Sequence, residues 1–503
     1  MTKRIPTRTG LTGAGAILLF AATVLPAQGA VTRGPYLQRG SSTSMLLKWS
    51  TDSSSDSVVR YGPSPTQLTS TATSSTGTTG HLVTVTGLQP QTRYYYSVGS
   101  SSGAQAGGTS AYFFETSPPV GAPRPTRIWV LGDAGTKNSN QRAVRDAYKT
   151  YVGTATANLT LMLGDNAYSD GTDSDYQAAV FDMYPDMLRQ TVLWPTLGNH
   201  DAQSADSSAQ SGPYYSIFSL PKQGESGGLA SGTEAYYSFD YGNIHFICLD
   251  SSDSSRSTSS PMLTWLKNDL LSTTQDWIIA FWHHPPYSKG SHDSDSDGTM
   301  TDMRQNALPI LEAGGVDLVL TGHSHSYERS FLLDGHYGDS GTLTTAMVLD
   351  SGDGKVTGDG AYQKSAPPSL PHDGAVYVVA GSSGQTGGGS LDHPAMYRSL
   401  NVLGSLVIDV NGPQMDVRFV RSNAALGDEF TITKGEVAAP HCKASDLSGD
   451  GAVDGLDLAE MASRFGASVE RGTMGDLDDD GRVDGDDLAL LAPDFGSHPG
   501  HCH

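Results

Sequence analysis

Cysteine is almost absent: three residues in 503. That excludes a fold stapled by a disulfide framework and leaves buried apolar surface to hold the chain together. Cys248 sits in the apolar run 244–249 and reads as a buried thiol, while Cys442 and Cys502 bracket an acidic tail that they are placed to close into a loop in an oxidising compartment. Positive charge is also scarce, with 31 Lys and Arg against 53 Asp and Glu and a formal net charge of −22. Without a basic stripe to neutralise phosphates, nucleic-acid binding is not expected. Residues 441–503 alone carry 14 acidic and 4 basic side chains, so the acidity is partly local. Long apolar runs are missing beyond the N-terminus, and no span of the mature chain across a membrane is expected. The run at 14–25 follows Lys3, Arg4 and Arg8 and precedes Ala27-Gln28-Gly29. That is the pattern of a secretory signal peptide over residues 1–29, and the run is shorter than the ~20 residues a membrane anchor requires. The expected location is secreted, extracellular.

What the chain has in plenty is Gly, Ser and Thr, with 59 glycines, which suits many short strands joined by loops. A chain of this length exceeds one core, and ~100–200 residues per domain predicts about three. The segments 44–49, 57–61, 81–86, 94–99 and 112–115 alternate with period two between polar turns and predict a small β-sandwich over 30–120, with the Ser/Thr-rich stretch 68–79 as a polar loop. Leu88-Gln89-Pro90-Gln91-Thr92-Arg93-Tyr94 resembles the tyrosine-corner turn of fibronectin type III domains, and Trp49 falls where such a sandwich places a core tryptophan. Pro118, Pro119, Pro123 and Pro125 form a stiff linker to a second domain, 124–435.

In that domain apolar runs stop abruptly in Gly, Asp, Asn or His: 127–131 at Gly132-Asp133, 159–163 at Gly164-Asp165, 192–197 at Gly198-Asn199-His200, 277–282 at His283-His284 and 316–321 at Gly322-His323-Ser324-His325. These read as buried strands with helices between them, delivering their polar residues at the carboxyl ends. Asp133, Asp165, Tyr168, Asn199, His283, His323 and His325 are O and N donors enough for two metal ions that share one carboxylate. Two cations suit phosphate-ester hydrolysis, because they generate a hydroxide at moderate pH, clamp the phosphate and offset the charge of an in-line displacement. His284 competes with its neighbour His283 for a ligand position, and His393 is a candidate for the pocket wall. The run Asp293-Ser-Asp295-Ser-Asp297-Gly298 mimics half of a calcium loop. Its twelfth position is Arg304, which favours an active-site loop.

The tail contains a repeat thirty residues apart. Asp446, Ser448, Asp450, Ala452, Asp454 and Asp457 recur as Asp476, Asp478, Asp480, Arg482, Asp484 and Asp487. Oxygen donors stand at positions 1, 3, 5, 9 and 12, a backbone carbonyl serves at position 7, and Gly451 and Gly481 supply the sharp turn at position 6, the spacing of an EF-hand calcium loop. One short helix is expected after each loop.

Gly132-Asp133-Ala-Gly135, Gly164-Asp165-Asn-Ala-Tyr168, Gly198-Asn199-His200-Asp201, His283-His284-Pro285 and Gly322-His323-Ser-His325-Ser-Tyr327-Glu328-Arg329 together resemble the signature blocks of purple acid phosphatases, within the metallophosphoesterase superfamily. Arg33-Gly34-Pro35-Tyr36-Leu37 resembles the opening of that family's fibronectin-like domain. The resemblance implies a multidomain chain: a fibronectin III-like β-sandwich, an α/β metallophosphoesterase β-sandwich flanked by helices, and, from the tail, a small helical dockerin-like module over 441–503. It implies that Asp133, Asp165, Tyr168 and His325 hold Fe(III), and that Asn199, His283 and His323 hold a divalent Zn, Fe or Mn with Asp165 bridging. His200 would contact the substrate phosphate, and His292, nine residues after His283, would protonate the leaving group. The dockerin resemblance implies bound Ca, a cohesin-like or cell-surface partner, and ends close enough for a Cys442–Cys502 disulfide. The reading is a secreted hydrolase of phosphate monoesters. A phosphodiesterase or nucleotidase with the same site, and a non-catalytic surface-docked binding protein, are the alternatives.

Overall fold

Alternating apolar residues fold the front of the chain into six strands, Val31–Gln38, Ser44–Gly62, Ser70–Thr86, Arg93–Ser100, Gly103–Gly107 and Phe113–Glu115. The computed structural model describes residues 1–6, 10, 29–366, 369–435, 445, 447–448, 453–469, 475–477, 480–492 and 495. The apolar run at 14–25, Cys442, Cys502, Asp446, Asp450, Ala452 and Asp478 lie outside these described residues. Hydrogen bonding runs continuously through one six-stranded sheet. The two long strands shift register between Ser50 and Ser57. On one side of the shift Ser44–Gly62 pairs with Val31–Gln38, and on the other with Arg93–Ser100. Residues from both halves, among them Trp49, Val83, Tyr96 and Phe114, share one core. Trp49 is buried and stacks on His81 with ring centroids 4.7 Å apart, and the Tyr94 hydroxyl accepts the Gln89 N–H at 3.0 Å.

The expectation of a polar loop at 68–79 is corrected: from Ser70 onward this stretch belongs to the strand Ser70–Thr86. Its first eleven residues bury no side chain fully, so there is no apolar alternation to betray it. Thr is nonetheless a good strand former, and pairing with Ser44–Gly62 satisfies the backbone.

Two seven-stranded sheets build the middle of the chain. In one, Ile244–Cys248, Trp277–Phe281, Leu318–Thr321 and Val376–Ala380 lie parallel, with Tyr237–Tyr241 antiparallel on one side and Tyr327–Ser330 antiparallel on the other, and Met396–Leu400 pairs antiparallel with Tyr327–Ser330 at the edge. In the other, Thr126–Leu131, Leu159–Met162 and Val192–Pro195 lie parallel, and Gly404–Asn411, Gln414–Arg421, Leu426–Lys434 and Tyr362–Lys364 extend the sheet. Fully apolar strands such as Trp277–Phe281 must be covered on both faces. Leu161, Phe281 and Leu406 join the core between the sheets, and Ile278 and Ala280 pack under the helices Pro261–Ser272 and Leu308–Ala313. Cys248 is a free thiol in this core.

The front domain is not merely tethered. Tyr36 donates to the Ile217 carbonyl at 2.8 Å, Lys48 Nζ to the Ser216 carbonyl at 3.0 Å and Ser219 Oγ at 3.1 Å, and Ser219 N–H to Gln38 Oε1 at 2.9 Å. Tyr36 and Leu37 belong to the same apolar cluster as Leu193 and Ile217.

In the tail, the helices Gly455–Arg464 and Gly485–Leu491 start at Asp454 and Asp484, whose side chains cap them. Val453, Met461, Val483 and Leu491 form a small core. Among the described residues no helix is long and apolar enough to cross a membrane.

At the amino end of Leu318–Thr321 a buried Asp317 carboxylate meets Lys364 Nζ at 2.8 Å and Lys434 Nζ at 2.7 Å, pinning one sheet to the other. Asp317→Ala leaves two buried ammonium groups without a counter-charge and is expected to cost about 3–5 kcal/mol, read as a lowered midpoint of denaturant unfolding.

Candidate metal centre

The parallel strands of both sheets end at the same place. Thr126–Leu131, Leu159–Met162 and Val192–Pro195 lead to Asp133, Asp165 and Asn199, while Trp277–Phe281 and Leu318–Thr321 lead to His283 and His323. Asp133 Oδ2 accepts the His323 N–H at 2.8 Å, joining the two sets. Asp133, Asp165 and His323 have φ of 54°, 49° and 64°, a left-handed geometry that residues with a Cβ seldom adopt. The glycines before Asp165 and Asn199 answer a space constraint. A Cβ on Gly164, itself at φ 87°, would stand 2.5 Å from His283 Nδ1, and one on Gly198 would stand 2.0 Å from Asp165 N.

The seven expected donors form two adjoining groups. In the first, Tyr168 Oη lies 3.3 Å from Asp133 Oδ1 and 3.2 Å from His325 Nε2, and His325 Nε2 lies 3.6 Å from Asp133 Oδ1. In the second, Asn199 Oδ1 is 2.9 Å from His283 Nε2 and 3.0 Å from His323 Nδ1, and His283 Nε2 is 3.4 Å from Asp165 Oδ1. Ligand atoms of Asp133, Asp165 and His283 lie within 4.8 Å of one another and connect the groups.

The chemistry of these donors fits two cations. His283 Nδ1 faces the Leu163 carbonyl at 2.9 Å, so its proton resides there and the Nε2 lone pair points at the oxygens of Asp165 and Asn199. A lone pair aimed at oxygens calls for a cation between them. Burial, and then the charges of Asp133 and Asp165, push the Tyr168 phenol far above its usual range. A hard, highly charged ion beside it would displace that proton.

The accessory histidines separate. His200 Nδ1 lies 2.6 Å from the Ser169 carbonyl, which leaves Nε2, 3.9 Å from Asp165 Oδ2, as the nitrogen presented to the cleft; the side chain is 38% exposed. The His292 ring stacks on His323 with centroids 3.9 Å apart. Burial, then the imidazoles of His323 and His325, push His292 down to about 4. His284 is buried beside His323, with ring centroids 4.3 Å apart and Nδ1 2.9 Å from Ser251 Oγ, whereas His283 alone of the pair reaches Asn199. His393 packs against Tyr287 and its Nδ1 accepts the Ala395 N–H. The acidic run lies beside this cluster: Lys289 Nζ binds Asp293 at 2.6 Å and Asp295 at 2.9 Å, and Asp297 Oδ2 lies 3.8 Å from His323 Nε2.

Asp201 has a role that motif spelling does not reveal. Its buried carboxylate accepts the Gly198 N–H at 2.9 Å, the Asn166 N–H at 3.1 Å, the Asn166 side-chain amide at 2.9 Å and the Tyr176 hydroxyl at 2.6 Å, tying the Asp165 turn to the Asn199 turn. Burial and then Asp165 raise it to about 6. Its place directly after Asn199-His200 was the available signal.

In the tail, the Asp at position 12 of each repeat folds back on its own loop. Asp457 accepts the Ser448 N–H at 2.8 Å and the Asp454 N–H at 2.7 Å, and Asp487 accepts the Leu477 N–H at 2.6 Å and the Asp484 N–H at 2.7 Å. Asp476 accepts the Asp480 and Gly481 N–H groups at 3.1 and 2.9 Å, and Asp480 accepts the Arg482 N–H at 2.8 Å.

Comparison with known proteins agrees with this geometry. Residues 126–327 match the calcineurin-like phosphoesterase family, 33–116 the purple acid phosphatase N-terminal domain, and 444–494 the dockerin type I domain. Over residues 126–327 the chain is thus similar to metallophosphoesterases, with which its fold agrees. Its front and middle are similar to purple acid phosphatases, and its tail is similar to dockerin type I domains. It is 30% identical over 278 residues to purple acid phosphatase 15 of Arabidopsis thaliana, covering 50% of this chain and 49% of that protein. To purple acid phosphatase 18 of the same plant it is 30% identical over 310 residues, 57% of this chain and 63% of the relative. The chain therefore spans about half to two thirds of the length of these relatives. The structure of the purple acid phosphatase PPD1 from yellow lupin (Lupinus luteus) seeds superposes with a TM-score of 0.57 at 16% identity, covering 81% of this chain and 75% of that one. The structure of PhoD superposes at 0.56 with 14% identity, covering 81% and 91%.

Gly198→Ala is expected to displace the Asp165 turn, weakening metal retention by tenfold or more with little change in secondary structure. Metal analysis after chelator dialysis, beside circular dichroism, checks this.

Proposed function

We propose that the protein hydrolyses phosphate monoesters at a binuclear metal centre. The carrying observation is the convergence of seven donors in two adjoining groups, one rich in anionic oxygen and one in imidazole. Asp133, Asp165, Tyr168 and His325 suit a hard trivalent ion such as Fe(III). Asn199, His283 and His323, together with Asp165, would hold Zn(II), Mn(II) or Fe(II). When bound, the two cations supply Lewis acidity that lowers the pKa of water and offsets the charge of the phosphate.

The chain's own side chains supply position and protons. His200 presents Nε2 to the cleft because Ser169 holds Nδ1, and from there it orients a phosphate oxygen. His292 is largely neutral while its neighbours are imidazoles. A phosphate dianion seated against it provides the counter-charge that raises its pKa, so His292 takes up a proton only with substrate present and passes it to the departing alcohol. Asp201 keeps the Asp165 and Asn199 turns in register during this exchange.

The remaining parts of the reading are extracellular. The N-terminal run serves as a secretory signal, the front domain is a fibronectin III-like support, and the tail repeats bind Ca through Asp446, Ser448, Asp450, Ala452, Asp454 and Asp457 and through Asp476, Asp478, Asp480, Arg482, Asp484 and Asp487. A Cys442–Cys502 disulfide closes the module, which docks to a cohesin-like partner.

Asp165→Ala and Asn199→Ala are each expected to lower turnover of an aryl phosphate by about a hundred- to a thousandfold, on the order seen when preorganised transition-state contacts are removed, and to deplete bound metal measured by mass spectrometry. Full activity in either variant refutes the site. A visible tyrosinate-to-iron absorption band in the wild-type protein identifies the first ion, and faster hydrolysis of a diaryl than of a monoaryl phosphate would move the assignment to a phosphodiesterase.

A further inference from the structure

One carboxylate facing the cluster has no part in the ligand scheme. His323 offers Nδ1 to Asn199 Oδ1 at 3.0 Å, so Nε2 points away from the donors. That nitrogen is buried and makes no hydrogen bond to the protein. Asp297 Oδ2 stands 3.8 Å from it. Asp297 uses its other oxygen as a helix cap, accepting the Thr299 and Met300 N–H groups at 2.8 and 3.1 Å, which holds Oδ2 toward His323. The other two acidic side chains of the loop, Asp293 and Asp295, are engaged by Lys289. His292 lies against the same pair, with ligand atoms of His292, Asp297 and His323 within 4.8 Å of one another.

An imidazole that gives one nitrogen to a metal carries its proton on the other, and an oxygen that receives this proton fixes both the tautomer and the ring orientation. We propose that Asp297 is a positioning residue of the metal centre: its Oδ2 receives the Nε2–H of His323 and fixes Nδ1 as the nitrogen offered to the second ion. The separation exceeds a hydrogen bond; charge on Nδ1 polarises the Nε2–H toward the carboxylate and draws the pair together. The inference rests on the reading of Asn199, His283 and His323 as ligands of one ion.

Asp297→Asn removes the charge but keeps a good helix cap. Full-length wild-type protein and variant are loaded with Fe(III) and Zn(II) and titrated with a chelator, with metal counted by mass spectrometry and folding followed by circular dichroism. Asp297→Asn is expected to release zinc at about ten- to a hundredfold lower chelator concentration while iron is retained. Asp297→Glu should recover part of the affinity, and Asp293→Asn, in the same loop, should match wild type. Zinc affinity in Asp297→Asn equal to wild type overturns the role of Asp297 and leaves the metal centre standing. Failure of the wild-type protein to take up zinc overturns the parent reading, and the inference with it.

Discussion

Asp133, Asp165 and His323 leave their strands in left-handed backbone geometry, each held there by hydrogen bonds from other turns of the same cluster. Asp133 N–H reaches the Gly164 carbonyl at 3.2 Å, Gly135 N–H the Asp165 carbonyl at 3.1 Å, and Gly322 N–H the His283 carbonyl at 2.9 Å. Backbone strain of this kind costs on the order of 1–3 kcal/mol per residue and survives only where the surroundings over-determine it. Here the determination is mutual, because each turn supplies an acceptor or donor to another. The seven donors are therefore one construction, and Asp201 belongs to it as much as any side chain aimed at the cleft.

Much of this was legible in the sequence. Buried strands advertise themselves as short apolar runs, and a polar residue after glycine at five such ends can be read without coordinates. Tyr168 and the His323-Ser324-His325 pair were legible through their family resemblance, and the capped helices after Asp454 and Asp484 through the repeat. Other features had no local signature. Ser70–Thr86 hides a strand because its pairing satisfies the backbone while its first half buries little. The ring nitrogen that each histidine turns inward depends on a partner far away in the chain, as Leu163 is for His283. Asp297 sat inside a run that imitates a calcium loop, and only folding separates it from Asp293 and Asp295.

The two ends of the sandwich carry different electrostatics. At one end, oxygens and imidazoles converge in an arrangement whose own hydrogen bonds leave lone pairs facing one another, as His283 Nε2 does toward Asp165. At the other, the buried Asp317 carboxylate is shared by Lys364 and Lys434. Such a buried ionic cluster tolerates loss of its carboxylate poorly, because each ammonium left unpaired bears its desolvation cost. The fold thus anchors its sheets at the rigid end and leaves ligand-seeking groups at the other.

The seam between the first two domains carries a lesson about dissection. A proline-rich joint ordinarily marks a place where a gene can be cut into pieces that fold alone. Here Tyr36, Gln38 and Lys48 reach across that joint to Ile217, Ser219 and Ser216, and apolar residues from both sides share one interior. The chain is modular as text but not as a solid, and an excised middle piece would present to water a face that was never made to be wet.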